Sequence, residues 1–300
     1  MTPERILRRA RAELRISGLA AWRGTLELIN SNDFTHAAAI AYYALLSLFP
    51  FLLLLISLFA SVAATEQDRV AVLTFVLDYF PTQLDFVAKQ LDNFGQSHVQ
   101  FGVAGLVALA WASLGVFNAI TSAVNHAWGV EKQRSFLKHR LVSFLMLVAS
   151  GGILVIGLTL VTTIQVAEAS WFGAMLGQFS WLRAVQTLTF RSLTMILLVT
   201  GVGLIFYFIP NAKTRFRDVW VGAVVTGLLW RGAFEGFAIF IRHNTRIKMV
   251  NGSIATVIVF LLWVYVSAVI LMYGVEFTAA YARIRRHRPH EVPAAPSPRL

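Results

Sequence analysis

The 300 residues are 57% hydrophobic and 14% charged, a balance that excludes an ordinary soluble domain and points to a chain of membrane helices. No cysteine is present, which excludes a disulfide framework, a thiolate nucleophile and a cysteine-held zinc. A formal charge of +11 would suit a nucleic-acid binder, but the cations sort by membrane side, so bilayer topology accounts for them and no nucleic-acid partner is expected.

Residues 1–32 place Arg5, Arg8, Arg9, Arg11 and Arg15 around Leu7, Ala10, Leu14 and Leu19, the pattern of a basic amphipathic helix. Such a helix can lie on an anionic leaflet or stand solvated in the cytoplasm, and Trp22 suits the interfacial belt. The segment lacks the apolar core and small-residue cleavage site of a signal peptide, so it is expected to be retained.

Asn32 and Asp33 are good N-cap residues for a first span over about residues 36–63. His36 at its border reads as an interfacial polar residue, and Pro50 in mid-run predicts a kink or hinge near Leu46. In the long loop of residues 66–100, Val70, Leu73, Val76 and Leu77, then Phe86, Val87, Leu91 and Phe94, predict two short amphipathic helices. Asp78, Asp85 and Asp92 recur every seven residues, but Pro81 breaks the register and favours a solvated face over a metal site.

The second span, 101–124, lines up Gly105, Ala108, Ala112, Gly115 and Ala119 as a small face suited to close helix packing. Asn118 and Asn125 lie toward its inner end, where they can hydrogen-bond across helices. A third span follows over 141–167, with a Ser150-Gly151-Gly152 step, and a fourth over 188–209, with Arg191 near its outer end.

The fifth and sixth spans, 219–241 and 253–280, form a final hairpin around which the chain is organised. At about 1.5 Å per residue, each can cross a hydrocarbon core of roughly 30 Å. The fifth carries Arg231 and Glu235 at mid-depth, one helical turn apart, and the sixth ends on Glu276. Charges at that depth are kept off lipid and partnered, so this element is expected inside the bundle, with Gly232 and Gly236 admitting a neighbouring helix. Residues 284–300 are basic and Pro-rich, the composition of a disordered tail. With both ends in the cytoplasm, 18 Lys and Arg fall on inner segments and 6 on outer loops. The expectation is an all-α polytopic bundle of six transmembrane helices over residues 33–283.

Four stretches carry a resemblance. Ala41-Tyr42-Tyr43-Ala44-Leu45-Leu46-Ser47-Leu48-Phe49-Pro50, Ala127-Trp128-Gly129-Val130, Phe208-Ile209-Pro210-Asn211, and Asn251-Gly252-Ser253 through Leu262-Trp263-Val264-Tyr265 to Gly274-Val275-Glu276 are similar, in this order, to the YihY/BrkB family. The resemblance covers about Asp33 to Arg283. It implies a bacterial inner-membrane protein of about six helices, with no catalytic motif to carry over. The family's former label of ribonuclease BN is regarded as a misassignment, its virulence name comes from serum resistance, and movement of lipid or envelope precursors has been proposed for relatives.

Three functions compete. A transporter or flippase for a lipid or anionic solute would use the intramembrane polar groups Arg231, Glu235, Glu276, Asn118, Asn125, Tyr42 and Tyr43, with Pro50 as hinge. Alternatively, Arg231 and Glu235 only neutralise each other for packing. A nuclease needs a metal-binding carboxylate cluster, and the inner acids Glu4, Glu13, Glu27, Asp33, Glu131, Asp218 and Glu291 show no such spacing; no enzyme activity, metal or cofactor is expected. A scaffold for envelope proteins, or a homo-oligomer, would use the small-residue faces around Ala112 and Gly232.

Overall fold

The computed structural model describes residues 3–60, 103–130, 136–169, 195–212, 214–243 and 253–286. They form seven helices: α1 (Pro3–Asn30), α2 (Asp33–Ala60), α3 (Val103–Ala127), α4 (Phe136–Ala169), α5 (Met195–Phe208), α6 (Phe216–His243) and α7 (Ser253–Arg286), with no strand among the described residues. Three stretches are long and apolar enough to cross a membrane, Ala104–Ala127, Phe216–Ile241 and Val257–Arg286. The loop helices expected between residues 66 and 100, the Asp78/Asp85/Asp92 series, Arg191 and the tail lie outside the described residues.

Local chemistry sets the helix ends. Ser31 and Asn32 link α1 to α2: the Asp33 backbone N–H donates to Ser31 Oγ at 3.3 Å, and His36 N–H to the Asn32 carbonyl at 3.0 Å. The capping oxygen therefore comes from Ser31. Asp33, expected as a cap, is instead the first helical residue and is fully buried.

Helix α3 closes in a Schellman turn, with Val130 N–H donating to the Asn125 carbonyl at 3.0 Å and Gly129 N–H to the His126 carbonyl at 2.8 Å. Gly129 stands at φ 65°, a left-handed conformation that a Cβ would penalise. Helix α2 continues through Pro50.

Helix α7 is the hub, packing against α1, α2, α3 and α6, and the run from Gly274 to Ala282 is buried. Its crossing with α6 is reciprocal. A Cβ on Gly222 would overlap Thr278, and one on Gly274 would overlap Thr226. Each threonine satisfies its own hydroxyl one turn back, Thr226 on the Gly222 carbonyl at 2.8 Å and Thr278 on the Gly274 carbonyl at 2.6 Å. Two Gly-x-x-x-Thr steps thus let the helices approach closely.

Helix α1 packs along α7. Its apolar stripe, Ile16 and Ala20, is buried on Phe277, Ala280 and Tyr281 of α7, and at Gly24 a Cβ would come within 3.0 Å of the Phe277 backbone. Leu14, Trp22 and Ile29 stay exposed on the other side. The sequence marked the helix as amphipathic through Leu14 and Leu19, which are exposed, whereas the stripe that packs on α7 is Ile16 and Ala20.

One end of the bundle gathers α1, the starts of α2, α4 and α6, and the ends of α3 and α7. Arg285 donates to the buried Asp218 carboxylate at 2.7 Å, and Tyr281 donates to Glu13 at 2.7 Å, which ties α1, α6 and α7 together. Arg217 adds a long ion pair to Glu13 at 3.8 Å. Lys138, Arg215 and Arg283 lie at this same basic end.

Candidate functional site

The small face expected on α3 meets α2. Ser47 reaches across, its hydroxyl donating to the Ala112 carbonyl at 3.2 Å and accepting from Val116 N–H at 3.3 Å. A Cβ on Gly115 would sit 2.9 Å from Ser47 Oγ and 3.4 Å from the Tyr43 ring. This contact forms the floor of a half-open cleft of about 550 Å³ between α2, α3 and the start of α4.

The cleft carries His36, Tyr43, Ser47, Asn118, Ser122 and Arg140 on walls of Ala39, Leu46, Trp111 and Ala119. From His36 to Ser47 it follows α2 for about 16 Å, half the thickness of a hydrocarbon core. The Arg140 guanidinium lies over the Trp111 ring, 4.4 Å from its centre. Asn118 is part of the lining, and its amide oxygen is buried without a hydrogen bond. A cation, an aromatic face, hydroxyls and an amide along a partly apolar trough can receive a ligand with an anionic head and an apolar body.

Beside the cleft, at the basic end, lies a second polar group. Asp33 is 0% exposed and Glu276 only 5%, and neither Asp33 oxygen has a hydrogen bond. The Ser31 hydroxyl eases the Asp33 charge without completing a hydrogen bond to either oxygen. Burial pushes the Asp33 carboxyl above its usual range; His126 and His36 pull it back, while Glu27 adds to the rise. The His36 ring lies against that of His126, with centres 4.7 Å apart and planes tilted by 46°.

The expected polar residues do not converge on one path. Tyr43 and Asn118 line the cleft, and Tyr42 is exposed beside Tyr43, the rings edge to face at 5.5 Å. Glu276 belongs to the Asp33 group. Asn125 does bond across helices, but as a joint: its Oδ1 accepts from Asn211 N–H at 2.8 Å and its Nδ2 donates to the Thr121 carbonyl at 2.8 Å.

Arg231 and Glu235 pair as their spacing predicts, at 2.6 Å, yet their side chains are 47% and 57% exposed. The expectation that this face is sheltered inside the bundle is corrected: among the described residues, no neighbour comes within 4 Å of a Cβ built on Gly232 or Gly236. An Arg and a Glu one turn apart neutralise each other without a third helix, so their charge does not dictate which way the face points. The packed face of α6 is instead Gly222, Ala223, Thr226 and Phe237.

Sequence reasoning missed Arg140, which falls just before the expected third span, and His36, taken as merely interfacial. Arg140 stands in the first turns of α4, and its long side chain carries the charge back along the helix into the cleft.

The sequence profile of the virulence factor BrkB family matches residues 27–298. This chain belongs to that family. Its BrkB relatives include a UPF0761 membrane protein of Pseudoalteromonas translucida, 24% identical over 84% of this chain and 82% of the relative, and one of Aeromonas salmonicida, 28% identical over 81% and 82%. A ribonuclease-like protein, YfkH, of Bacillus subtilis is 26% identical over 86% of this chain and 92% of its own. No solved structure matches the chain. In this BrkB protein the motifs that carry the resemblance are joints and walls: Trp128-Gly129-Val130 closes α3, Asn211 docks on Asn125 beside it, and Tyr43 and Ser47 form the cleft.

Proposed function

We propose that this BrkB-family membrane protein is a transporter or flippase of the bacterial inner membrane, moving a lipid or another amphipathic anionic envelope molecule along the α2–α3 cleft. The reading includes six spans with both termini in the cytoplasm, so the cleft opens to the inner leaflet and ends near mid-bilayer. The observation that carries it is Arg140 held over Trp111 in a trough that Tyr43, Ser47 and Asn118 also line. Arg140 would receive the phosphate or carboxylate, Asn118 and Ser122 would hydrogen-bond it, and the acyl portion would remain against Leu46 and the surrounding lipid. Pro50, beyond the deep end of the cleft, would permit α2 to flex. The reading needs no bond to be broken and is non-enzymatic.

The test is reconstitution in anionic vesicles with a fluorescent phosphatidylglycerol analogue, followed by chemical quenching of the outer leaflet. Arg140→Gln and Asn118→Leu should each slow the protein-dependent exchange about tenfold, the worth of a charge-assisted hydrogen bond. The double variant R231Q/E235Q should run at the wild-type rate. Unchanged exchange in R140Q, or none with wild type, overturns the reading.

A scaffold is the second reading, favoured by the outward Arg231–Glu235 pair, because charges facing lipid are costly unless another protein or a second copy covers them. Crosslinking from position 232 in native membranes tests it, and a reproducible partner there supports it.

A further inference from the structure

We propose that Asp33 and Glu276 form a proton-binding site, and that His36 couples its occupancy to the cleft. The coupling rests on the transport reading above, whereas the binding site stands without it.

Asp33 begins α2 and Glu276 lies in α7, so the site is made where the hub helix meets the first span. Both Asp33 oxygens are buried and lack a hydrogen bond, a state that costs several kcal/mol for a carboxylate but little for a neutral acid that keeps its proton. Glu276 is buried on the helix that packs against α2, and the Asp33 charge repels its own. Two carboxylates in one dry site hold at most one charge comfortably.

The surroundings are specific. The charges felt there are those of Glu27 of α1, His36 of α2, His126 of α3 and Arg283 of α7, and the His36 and His126 rings lie against each other. Gly24 permits the approach of α1, since a Cβ there would meet the backbone of Phe277 at 3.0 Å and of Glu276 at 3.5 Å. Among the described residues, no three acids or histidines are arranged to hold a metal ion, so the ligand that fits is a proton. Exposed Glu27 gives it a route from water. His36 faces both Asp33 and the cleft, so a change of charge at the carboxylates is felt where the anionic head would sit.

The sign of the pH effect follows. Because burial raises the Asp33 carboxyl above its unfolded value, the folded protein holds the proton more tightly than the unfolded chain. Folding is therefore favoured at low pH, and that advantage is lost as pH rises through the folded value. The full chain in nanodiscs should show a melting temperature that falls as pH rises above the usual carboxylate range, the direction set by the raised Asp33 carboxyl. Asp33→Asn and Glu276→Gln should each flatten this dependence and melt no lower than wild type at the alkaline end. A wild-type profile matching that of D33N overturns the site. In the vesicle assay, an imposed pH gradient should change wild-type exchange about fivefold or more and leave D33N unaffected. His36→Gln should keep the pH-dependent melting and lose the gradient response. Gradient-insensitive exchange in wild type overturns the coupling. PH-dependent melting without any exchange overturns the transport reading and leaves the proton site standing. A response to sodium at constant pH, abolished by D33N, overturns the choice of ligand.

Discussion

At the scale of single residues, buried charges here are either paired or left bare, and the two kinds serve different ends. Asp218 is buried yet accepts from Arg285 at 2.7 Å, so it fastens α6 to the end of α7. Removing one partner of such a pair strands the other, at a cost of about 2–4 kcal/mol. Asp218→Asn should therefore lower the melting temperature clearly in detergent, and Arg285→Lys should lower it less. Equal melting of D218N and wild type would show the bond to be dispensable. Asp33 has no comparable partner, and its neutral substitute should be tolerated for that reason.

At the scale of elements, the α6–α7 crossing depends on absent side chains. Gly222 and Gly274 each make room for a threonine of the other helix, whereas Gly232 borders open space on the same helix as Gly222. A methyl group at either crossing glycine must push the helices apart, at a cost of about 1–3 kcal/mol. Gly274→Ala should reduce the yield of folded protein and lower its melting temperature. Gly232→Ala should match wild type in both, and the reverse order would refute the crossing. Both Gly-x-x-x-Thr steps stand in the sequence, but so does Gly232-x-x-x-Gly236, and spacing alone favours the wrong one. What separates them is the partner: Thr226 and Thr278 fill reciprocal gaps only when two particular helices are brought face to face.

At the scale of the whole molecule, α7 holds four other helices, and α1 covers its basic end. Deleting residues 1–30 would uncover Phe277, Ala280 and Tyr281 and leave Glu13 missing from its hydrogen bond to Tyr281. The truncated chain should aggregate on size-exclusion chromatography and melt lower than the full chain. An unchanged profile would make α1 an independent appendage. The same arrangement sets the cleft and the buried acids side by side, joined at His36, which allows one to respond to the other.

Helix formation followed from the sequence because a bilayer allows an apolar run of twenty residues little else: each backbone donor must find its acceptor within the run. The i, i+4 pairing of Arg231 with Glu235 and the amphipathic character of α1 were legible for the same reason, being properties of single segments. Which face of each helix meets which neighbour was not. A helix apolar nearly all round, such as α4, carries no period that distinguishes lipid from protein. Only the assembled bundle turned Arg231 outward, drew Arg140 into the cleft and buried Asp33 without a partner, because those outcomes depend on shape complementarity between segments far apart in the chain.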